Sequence, residues 1–322
     1  MGLHDEMRAA ANGLTATLSG ALRAAVLHPF ADEAARRWMD YRPVARPGVS
    51  LASMDIAGRK AAHRLLSTAL SDHAFAQAMT IASLEEVLDR SEGGARGRHA
   101  VDYWLALFGD PSREDDPWGW RFEGHHVSVS MTIVGDRVSP TPLFLGANPA
   151  RVRYRGTDVV RPLALEEELA RALLDAMDDA SREAATIADE PPDDIVSEQL
   201  ARIDGVFEPV GVAVDRLGPA AKELLDRLVD LYLERLAPSL ARREAASVDR
   251  ELLTFAWAGS RDAGRAHYYR IQAPDLLIEY DNTQSDANHV HSVLRRPASD
   301  FGGGDVLRAH RAAAHAEPAT MG

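Results

Sequence analysis

Apolar positions in the first hundred residues have the spacing of amphipathic helices. Three leucines and a valine recur every fourth residue and so share one helical face: Leu14, Leu18, Leu22 and Val26. The same periodicity predicts a second helix over 56–70 and a third over 75–88. Residues 1–98 are therefore predicted to form a helical N-terminal part.

Beyond residue 100 the period changes to two. Apolar residues from Val127 to Ile133 alternate with polar ones, which is typical of a half-buried strand, and Gly135-Asp136 supplies a hairpin turn. The same reasoning predicts further strands over 138–145, 252–258, 267–272, 276–280 and 289–294, and further helices over 165–177, 220–236, 238–252 and 306–315.

The strands fall into two groups on either side of a helical insertion over 163–250. Hairpins rather than repeated strand–helix–strand units favour an α+β fold, with the N-terminal helices packed on a central, mostly antiparallel sheet. Neither group has enough strands to enclose a core, so we expect one sheet to combine both. The expected organisation is a single large domain over 1–322, whose sheet-bearing part spans 99–322.

Charge and composition narrow the class of protein. The 322 residues include 36 Lys+Arg and 49 Asp+Glu, a net charge of −13 that argues against a nucleic-acid partner. No run approaches the roughly 20 apolar residues of a membrane span, and Asp5, Glu6 and Arg23 make the N-terminus read as a helix rather than a secretion signal. We expect a cytoplasmic protein without a membrane partner, whose alanine-rich helices pack either on the sheet or in a homodimer.

A His-x-His pair provides the first candidate for chemistry. Residues two apart on a strand project to the same face, so His289 and His291 can direct two imidazoles at one point. Imidazole binds zinc, copper and iron, and the absence of cysteine restricts a metal site to nitrogen and oxygen ligands. The pair predicts a site for one divalent transition metal.

The adjacent pair His125 and His126 provides a second candidate half-site. Neighbouring residues on a strand point to opposite faces, so both can ligate one metal only if a bulge intervenes. His126 shares a polar face with Ser128, which favours it for a cleft. His125 shares a face with Glu123, and the two are either a hydrogen-bonded pair at the edge of the core or a ligand or acid–base pair. The sequence leaves both histidines as candidate ligands.

Other polar residues near the C-terminus are further candidates. His310 precedes His315 by five residues, about 140° around a helix, so only His310 is taken as a ligand. Asp300 is interpreted as a metal ligand, a histidine-orienting group or a helix cap, and Arg295 as a group that holds a substrate carboxylate. Three amides are candidates for substrate binding or for turn stabilisation: Asn282, Gln284 and Asn288.

Several ordered motifs together resemble one protein family. They are Trp118–His126, Thr141–Pro149, His267–Gln272, Leu277–Gln284, Ala287–Val293 and Asp300–Gly302. In combination they resemble the uncharacterised domain-of-unknown-function family numbered 3500, over nearly the whole chain. The resemblance supplies no reaction, but it implies that the Gly-His-His and Asn-His-Val-His elements are signatures of the family. This chain departs from the family pattern at Arg296, where members tend to have aspartate, and in one extra residue before Asp305.

These observations support three hypotheses about function. The first is a metalloenzyme acting on a small molecule, either a hydrolase in which zinc activates water and Glu123 is the general base, or a copper or iron oxidoreductase that uses dioxygen. The carboxylate base favours hydrolysis. The second is a metal-free pocket that binds a small ligand, and the third is a structural protein with a polar, histidine-containing core.

Overall fold

The structure is a computed structural model that describes residues 2–114, 116–203, 205 and 207–304. The predicted closing helix over 306–315, with His310, lies outside these residues. The helices are α1 Leu3–Thr17, α2 Gly20–Val26, α3 Glu33–Arg36, α4 Ile56–Ala69, α5 Asp72–Ser91, α6 Ala164–Asp175, α7 Asp179–Ala185, α8 Pro219–Leu233 and α9 Pro238–Ser247. Among the described residues, no helix has the length and apolar character needed to cross a bilayer.

The strands follow in the same chain order. They are β1 Leu27–His28, β2 Val49–Ser50, β3 Tyr103–Phe108, β4 Trp118–Gly124, β5 Val127–Val134, β6 Arg137–Ser139, β7 Leu143–Ala147, β8 Val152–Tyr154, β9 Thr157–Val160, β10 Thr186–Ala188, β11 Val212–Ala213, β12 Thr254–Gly259, β13 His267–Ala273, β14 Leu276–Gln284 and β15 His289–Arg295. Only β8 and β9 stand apart, as a separate hairpin among the described strands.

One sheet joins the two predicted groups of strands. Its order is β1-β3-β4-β5-β7-β15-β14-β13-β12-β10, with β2, β6 and β11 pairing at the sides. Two pairs are parallel, β1 with β3 and β10 with β12, and the other neighbours are antiparallel. The α+β class, the mostly antiparallel sheet and the joining of both groups are confirmed. The join lies between β7 and β15, which brings the Gly-His-His and His-x-His segments close together, on either side of β7.

The two faces of this sheet differ in chemistry. One face carries large apolar side chains that share a core cluster with residues of α1, α4 and α5, such as Trp120 and Leu145. The other face carries polar side chains that follow one another across the paired strands: Glu123, Ser128, Glu279, Asp281 and His291. The strand predicted over 127–133 is present as β5, but the prediction that it is half-buried is wrong, because β5 is buried on both faces. Irregular segments cover its polar side, through contacts such as the Asp40 amide to Glu123.

Several predicted boundaries change for local reasons. The single N-terminal helix is two helices, because Ser19 caps α2 by accepting a hydrogen bond from the amide of Leu22. The helix after Pro238 ends at Ser247 rather than at 252. Two strands, β3 and β4, were not predicted from the sequence. The residues of β3 are apolar on both sides and lack a period of two. β4 does alternate, with Trp118, Trp120 and Phe122 on one side and Gly119, Arg121 and Glu123 on the other.

His267 predicts a loss of stability in acid. Its ring is buried at the start of β13 and stacks on Trp257 with centroids 4.6 Å apart. Burial, helped by the charge of Arg171, lowers the pKa of His267 to about 4. The unfolded chain takes up a proton at this histidine below pH ~6.5, so stability falls as the pH drops from 6.5 towards 4. Between pH 7.5 and 5, we expect His267→Gln to lose about 2 kcal/mol less free energy of unfolding than the parent protein loses.

Urea unfolding at the two pH values measures this difference. The matched control is His73→Gln, at an exposed histidine of α5, which should leave the acid loss as it is in the parent protein. An equal acid loss in His267→Gln and in the parent would contradict the assignment.

Candidate metal centre

Three of the histidines predicted as ligands converge on one point. One ring nitrogen from each of His126, His289 and His291 lies within 4.8 Å of the others. The Nε2 atoms of His126 and His289 are 2.7 Å apart. His289 and His291 lie on one face of β15, and β7 separates that strand from β5. The structure thus brings together the two half-sites that were separate in the sequence.

His126 reaches this group because it lies in a turn. His125 and His126 connect β4 to β5, and the φ angle of His126 is +64°, in the left-handed region. Their expected placement at the start of a strand is therefore wrong, and the alternation of strand faces does not apply to them. The turn is fixed on both sides, since the His126 amide donates to Tyr41 O at 3.1 Å and the Gly146 amide donates to His126 O at 2.7 Å.

Gly146 lies beneath two of the three imidazoles. A Cβ atom there would be 2.6 Å from the carbonyl oxygen of Val290, 2.9 Å from Cδ2 of His126 and 3.2 Å from Cδ2 of His291. For Gly146→Ala we therefore expect both a shift of β7 against β15 and a displacement of the imidazoles. The expected effects are a stability loss of about 1–3 kcal/mol and a tenfold or greater loss of zinc affinity.

Thermal unfolding and zinc titration measure the two effects of this substitution. Gly20→Ala, at a position with open space around the added methyl group, is the matched control. Parent-like zinc affinity in Gly146→Ala would show that the imidazoles tolerate the methyl group.

His125 belongs to a neighbouring ion-pair network. Its ring stacks on that of His126 with centroids 3.7 Å apart, and its Nδ1 is hydrogen-bonded to Glu85 of α5. Arg98 lies 3.5 Å from the Glu85 carboxylate and 3.3 Å from His125 Nδ1. The expected pairing of His125 with Glu123 is wrong, because the turn directs His125 towards α5.

Glu123 is held elsewhere on the polar face. Its carboxylate accepts hydrogen bonds from the Asp40 amide at 2.9 Å, the Ser128 hydroxyl at 2.7 Å and Arg46 Nε at 3.1 Å. Burial raises the pKa of Glu123, against the opposing charges of Arg121 and Arg46. The carboxylate is therefore committed to fixing the 40–46 segment, and the structure does not bring it into the histidine group.

Two carboxylates that the sequence analysis missed contact His291. Nδ1 of His291 is 2.7 Å from Asp194 Oδ1 and 3.4 Å from Asp281 Oδ2. Asp194 ends the acidic segment 189–194, which folds back onto the sheet at this point. Asp281 is directly opposite His291 in the β14–β15 pair, so hairpin register was the signal that could have found it.

The surroundings set different charge states for the three imidazoles. Burial lowers the pKa of His289 to about 3 and holds the pKa of His126 well below its usual value. Burial also acts on His291, but the charges of Asp281 and Asp194 outweigh it and raise its pKa to about 9. At neutral pH His126 and His289 are therefore neutral, which is the form that ligates metals, whereas His291 is protonated and must release a proton when it ligates one.

An aromatic pair closes one side of the centre. Tyr41 stacks on Phe144 with centroids 4.2 Å apart, and its centroid is 4.8 Å from that of His291. The Tyr41 hydroxyl donates to Asp194 Oδ2 at 2.9 Å. His289 is half-buried, whereas His126 and His291 are buried, so access is from the His289 side.

The remaining candidate residues have other partners. Arg295 Nε donates to Asp300 Oδ2 at 2.7 Å, and Arg295 Nη1 donates to Leu200 O at 2.8 Å. Arg295 lies four residues beyond His291 on β15, about 13 Å along the strand, so this ion pair is remote from the histidines. The three amides contact backbone atoms of nearby loops, as in turn stabilisation: Asn282 with His267 N and Arg265 O, Gln284 with Asp193 O, and Asn288 with Arg151 N.

The donor set fits a transition-metal ion. Zinc–imidazole distances of about 2.0–2.1 Å place tetrahedral ligand nitrogens about 3.3 Å apart. The 2.7 Å between the Nε2 atoms of His126 and His289 is shorter, so binding requires the two rings to separate by roughly half an ångström. Three nitrogen donors and no thiolate suit zinc, copper or iron equally.

The fold and the site define a class of protein: an α+β protein with a histidine cluster on the polar face of a large, mostly antiparallel sheet. The chain belongs to the family described as protein of unknown function DUF3500, which matches residues 3–303. The resemblance seen in the sequence motifs is thereby confirmed. No curated protein and no solved structure matches the chain.

Proposed function

We propose that this protein is a metal-dependent enzyme that acts on a small molecule in the cytoplasm, by hydrolysis with a metal-activated water. The observation that carries the proposal is the convergence of three imidazole nitrogens within 4.8 Å at the join of the two strand groups. His126, His289 and His291 would hold the ion.

The number and exposure of the ligands support a catalytic site over a structural one. Structural zinc sites are closed by four protein ligands, whereas catalytic sites have three and keep a position for water or substrate. Half-buried His289 leaves one side of the group accessible. A bound divalent ion supplies a nucleophile at neutral pH by lowering the pKa of its water towards about 7.

A cleft next to the centre is lined by Glu85, Arg98 and His125, together with Val44 and Trp104. It meets the centre at His125, whose ring stacks on that of His126. We assign no proton transfer to Glu123, because Arg46 and Ser128 already occupy its carboxylate.

Hydrolysis of an ester, amide and lactone panel by zinc-loaded protein tests the proposal. His289→Gln should abolish the activity while leaving thermal unfolding close to that of the parent. His99→Gln, at an exposed histidine paired with Glu86, is the matched control and should retain full activity. Activity that survives in His289→Gln would contradict the proposal.

Copper or iron loading tests the alternative chemistry with the same variants. Oxygen consumption that depends on His289, without hydrolysis by the zinc form, would replace the hydrolase by an oxidoreductase that uses the same ligands. If the protein binds no metal under any loading condition, two hypotheses remain: a metal-free pocket that binds a small ligand, and a structural protein.

A further inference from the structure

Two carboxylates converge on one ring nitrogen of His291, Nδ1, and leave the other ring nitrogen free to bind a metal. Asp194 Oδ1 is 2.7 Å and Asp281 Oδ2 is 3.4 Å from Nδ1 of His291. Asp281 comes from β14, directly across from His291, and Asp194 comes from the segment that follows β10. Since Nδ1 is engaged by these groups, Nε2 is the nitrogen available to a metal.

Asp281 is unusual among the carboxylates of the sheet. Its side chain is fully buried, and Oδ1 accepts hydrogen bonds from the amide and the hydroxyl of Thr283, at 3.2 and 3.1 Å. Oδ2 has no hydrogen-bond partner among the described residues. A buried carboxylate oxygen without a hydrogen bond is costly. The ion-pair partner of Oδ2 within the described part of the chain is His291, whose Nδ1 lies 3.4 Å away.

The charges of the centre balance for a divalent ion. Imidazoles that ligate a metal are neutral, so the two aspartates contribute a charge of −2. The neighbouring Glu85 shares the guanidinium of Arg98 with Glu92, at 3.5 and 2.8 Å, and belongs to that separate ion-pair network. An ion of charge +2 balances the two aspartates.

We propose that Asp194 and Asp281 are positioning residues of the metal centre. They hold His291 with Nε2 towards the ion, and their charges balance that of a divalent ion. This inference rests on the proposed metal-dependent function and adds to it the residues that orient one ligand and the charge that the site accepts. Carboxylates that accept a hydrogen bond from a ligating histidine characteristically have this effect on metal sites.

Two other arrangements of the same side chains make different predictions. Asp194, Asp281 and His291 are close enough to bind a second ion directly, which predicts two ions per chain. Glu85, His125 and His126 form a third such group, but the guanidinium of Arg98 already lies where a cation would bind.

Titration with Co²⁺ alone, followed by its visible absorption, tests the inference. The parent protein should bind one ion, and Asp281→Asn should bind one ion about 10–100-fold more weakly. The matched control is Asp300→Asn, which removes a buried carboxylate remote from the histidines. Asp300 accepts hydrogen bonds from Arg295 and the Arg296 amide rather than from a histidine, so the Co²⁺ affinity of this variant should not change.

The reduction potential of the copper-loaded protein separates positioning from mere stabilisation of the fold. Removing a negative charge favours Cu⁺ over Cu²⁺, so the potential should rise in Asp281→Asn and stay constant in Asp300→Asn. Asp194→Asn, in a partly exposed segment, provides the same test if Asp281→Asn does not fold.

Each remaining outcome is decisive. Unchanged Co²⁺ affinity in both aspartate variants would overturn the inference and leave the three-histidine centre intact. Two ions in the parent and one in Asp281→Asn would show direct ligation and overturn it as well. No metal bound to the parent would remove the proposed function itself, and the inference with it.

Discussion

His126→Asn is expected to lower the affinity for Zn²⁺ by at least 100-fold. In the proposed centre His126 is one of three ligands, so its loss should exceed the 10–100-fold effect typical of groups that only orient a ligand. Asparagine is the appropriate replacement because it tolerates the left-handed conformation, here φ +64°, better than alanine does. Isothermal titration with Zn²⁺ measures the change, and the denaturation midpoint verifies that the turn still folds.

The adjacent histidine provides the matched control for this substitution. His125→Asn removes a ring that stacks on His126 but is bonded to Glu85, so we expect a loss of less than tenfold. If the two variants lost the same affinity, or if only His125→Asn lost it, the assignment of His126 as the ligand would be wrong.

Glu166→Leu is expected to reduce the free energy of unfolding by about 3–5 kcal/mol. Glu166 of α6 and Arg235, just after α8, form an ion pair of 2.8 Å in which both side chains have no exposed area. Arg235 also donates to the Ser292 hydroxyl on β15 at 3.0 Å. Removing the carboxylate leaves a buried guanidinium without a counter-charge, which is the costly case for buried pairs.

The double variant Glu166→Leu/Arg235→Met controls for this effect. Replacement of both charges by apolar groups removes the unpaired charge, so the double variant should be more stable than Glu166→Leu. Guanidinium unfolding of the parent and both variants measures this. A single-variant loss below about 1 kcal/mol, or a double variant that is the less stable of the two, would contradict the account.

Elements with a clear hydrophobic period were predictable from the sequence. The helix predicted over 56–70 is α4, and the strands predicted over 267–272 and 289–294 are β13 and β15. The shared face of His289 and His291 followed from strand geometry alone. Strands with apolar residues on both sides, such as β3, have no such period, because each of their residues faces a packed layer.

The missing half of the site depended on turns and distant segments. Without β4, the His125-His126 pair could not be recognised as a hairpin turn, and its faces were assigned by a rule for strands. Asp194 is 97 residues from His291 in sequence, and its loop carries no periodic signal that predicts its position. Asp281 was within reach of prediction, since pairing β14 with β15 as a hairpin aligns it with His291.

The metal content of untagged protein, purified without chelator, tests the central claim most directly. Elemental analysis should find close to one transition-metal ion per chain, with zinc in agreement with the proposed hydrolysis, and the ion should be lost from His126→Asn. Copper or iron at the same stoichiometry would retain the centre and change its chemistry. No bound metal, even after reconstitution with zinc, copper and iron in turn, would contradict the account.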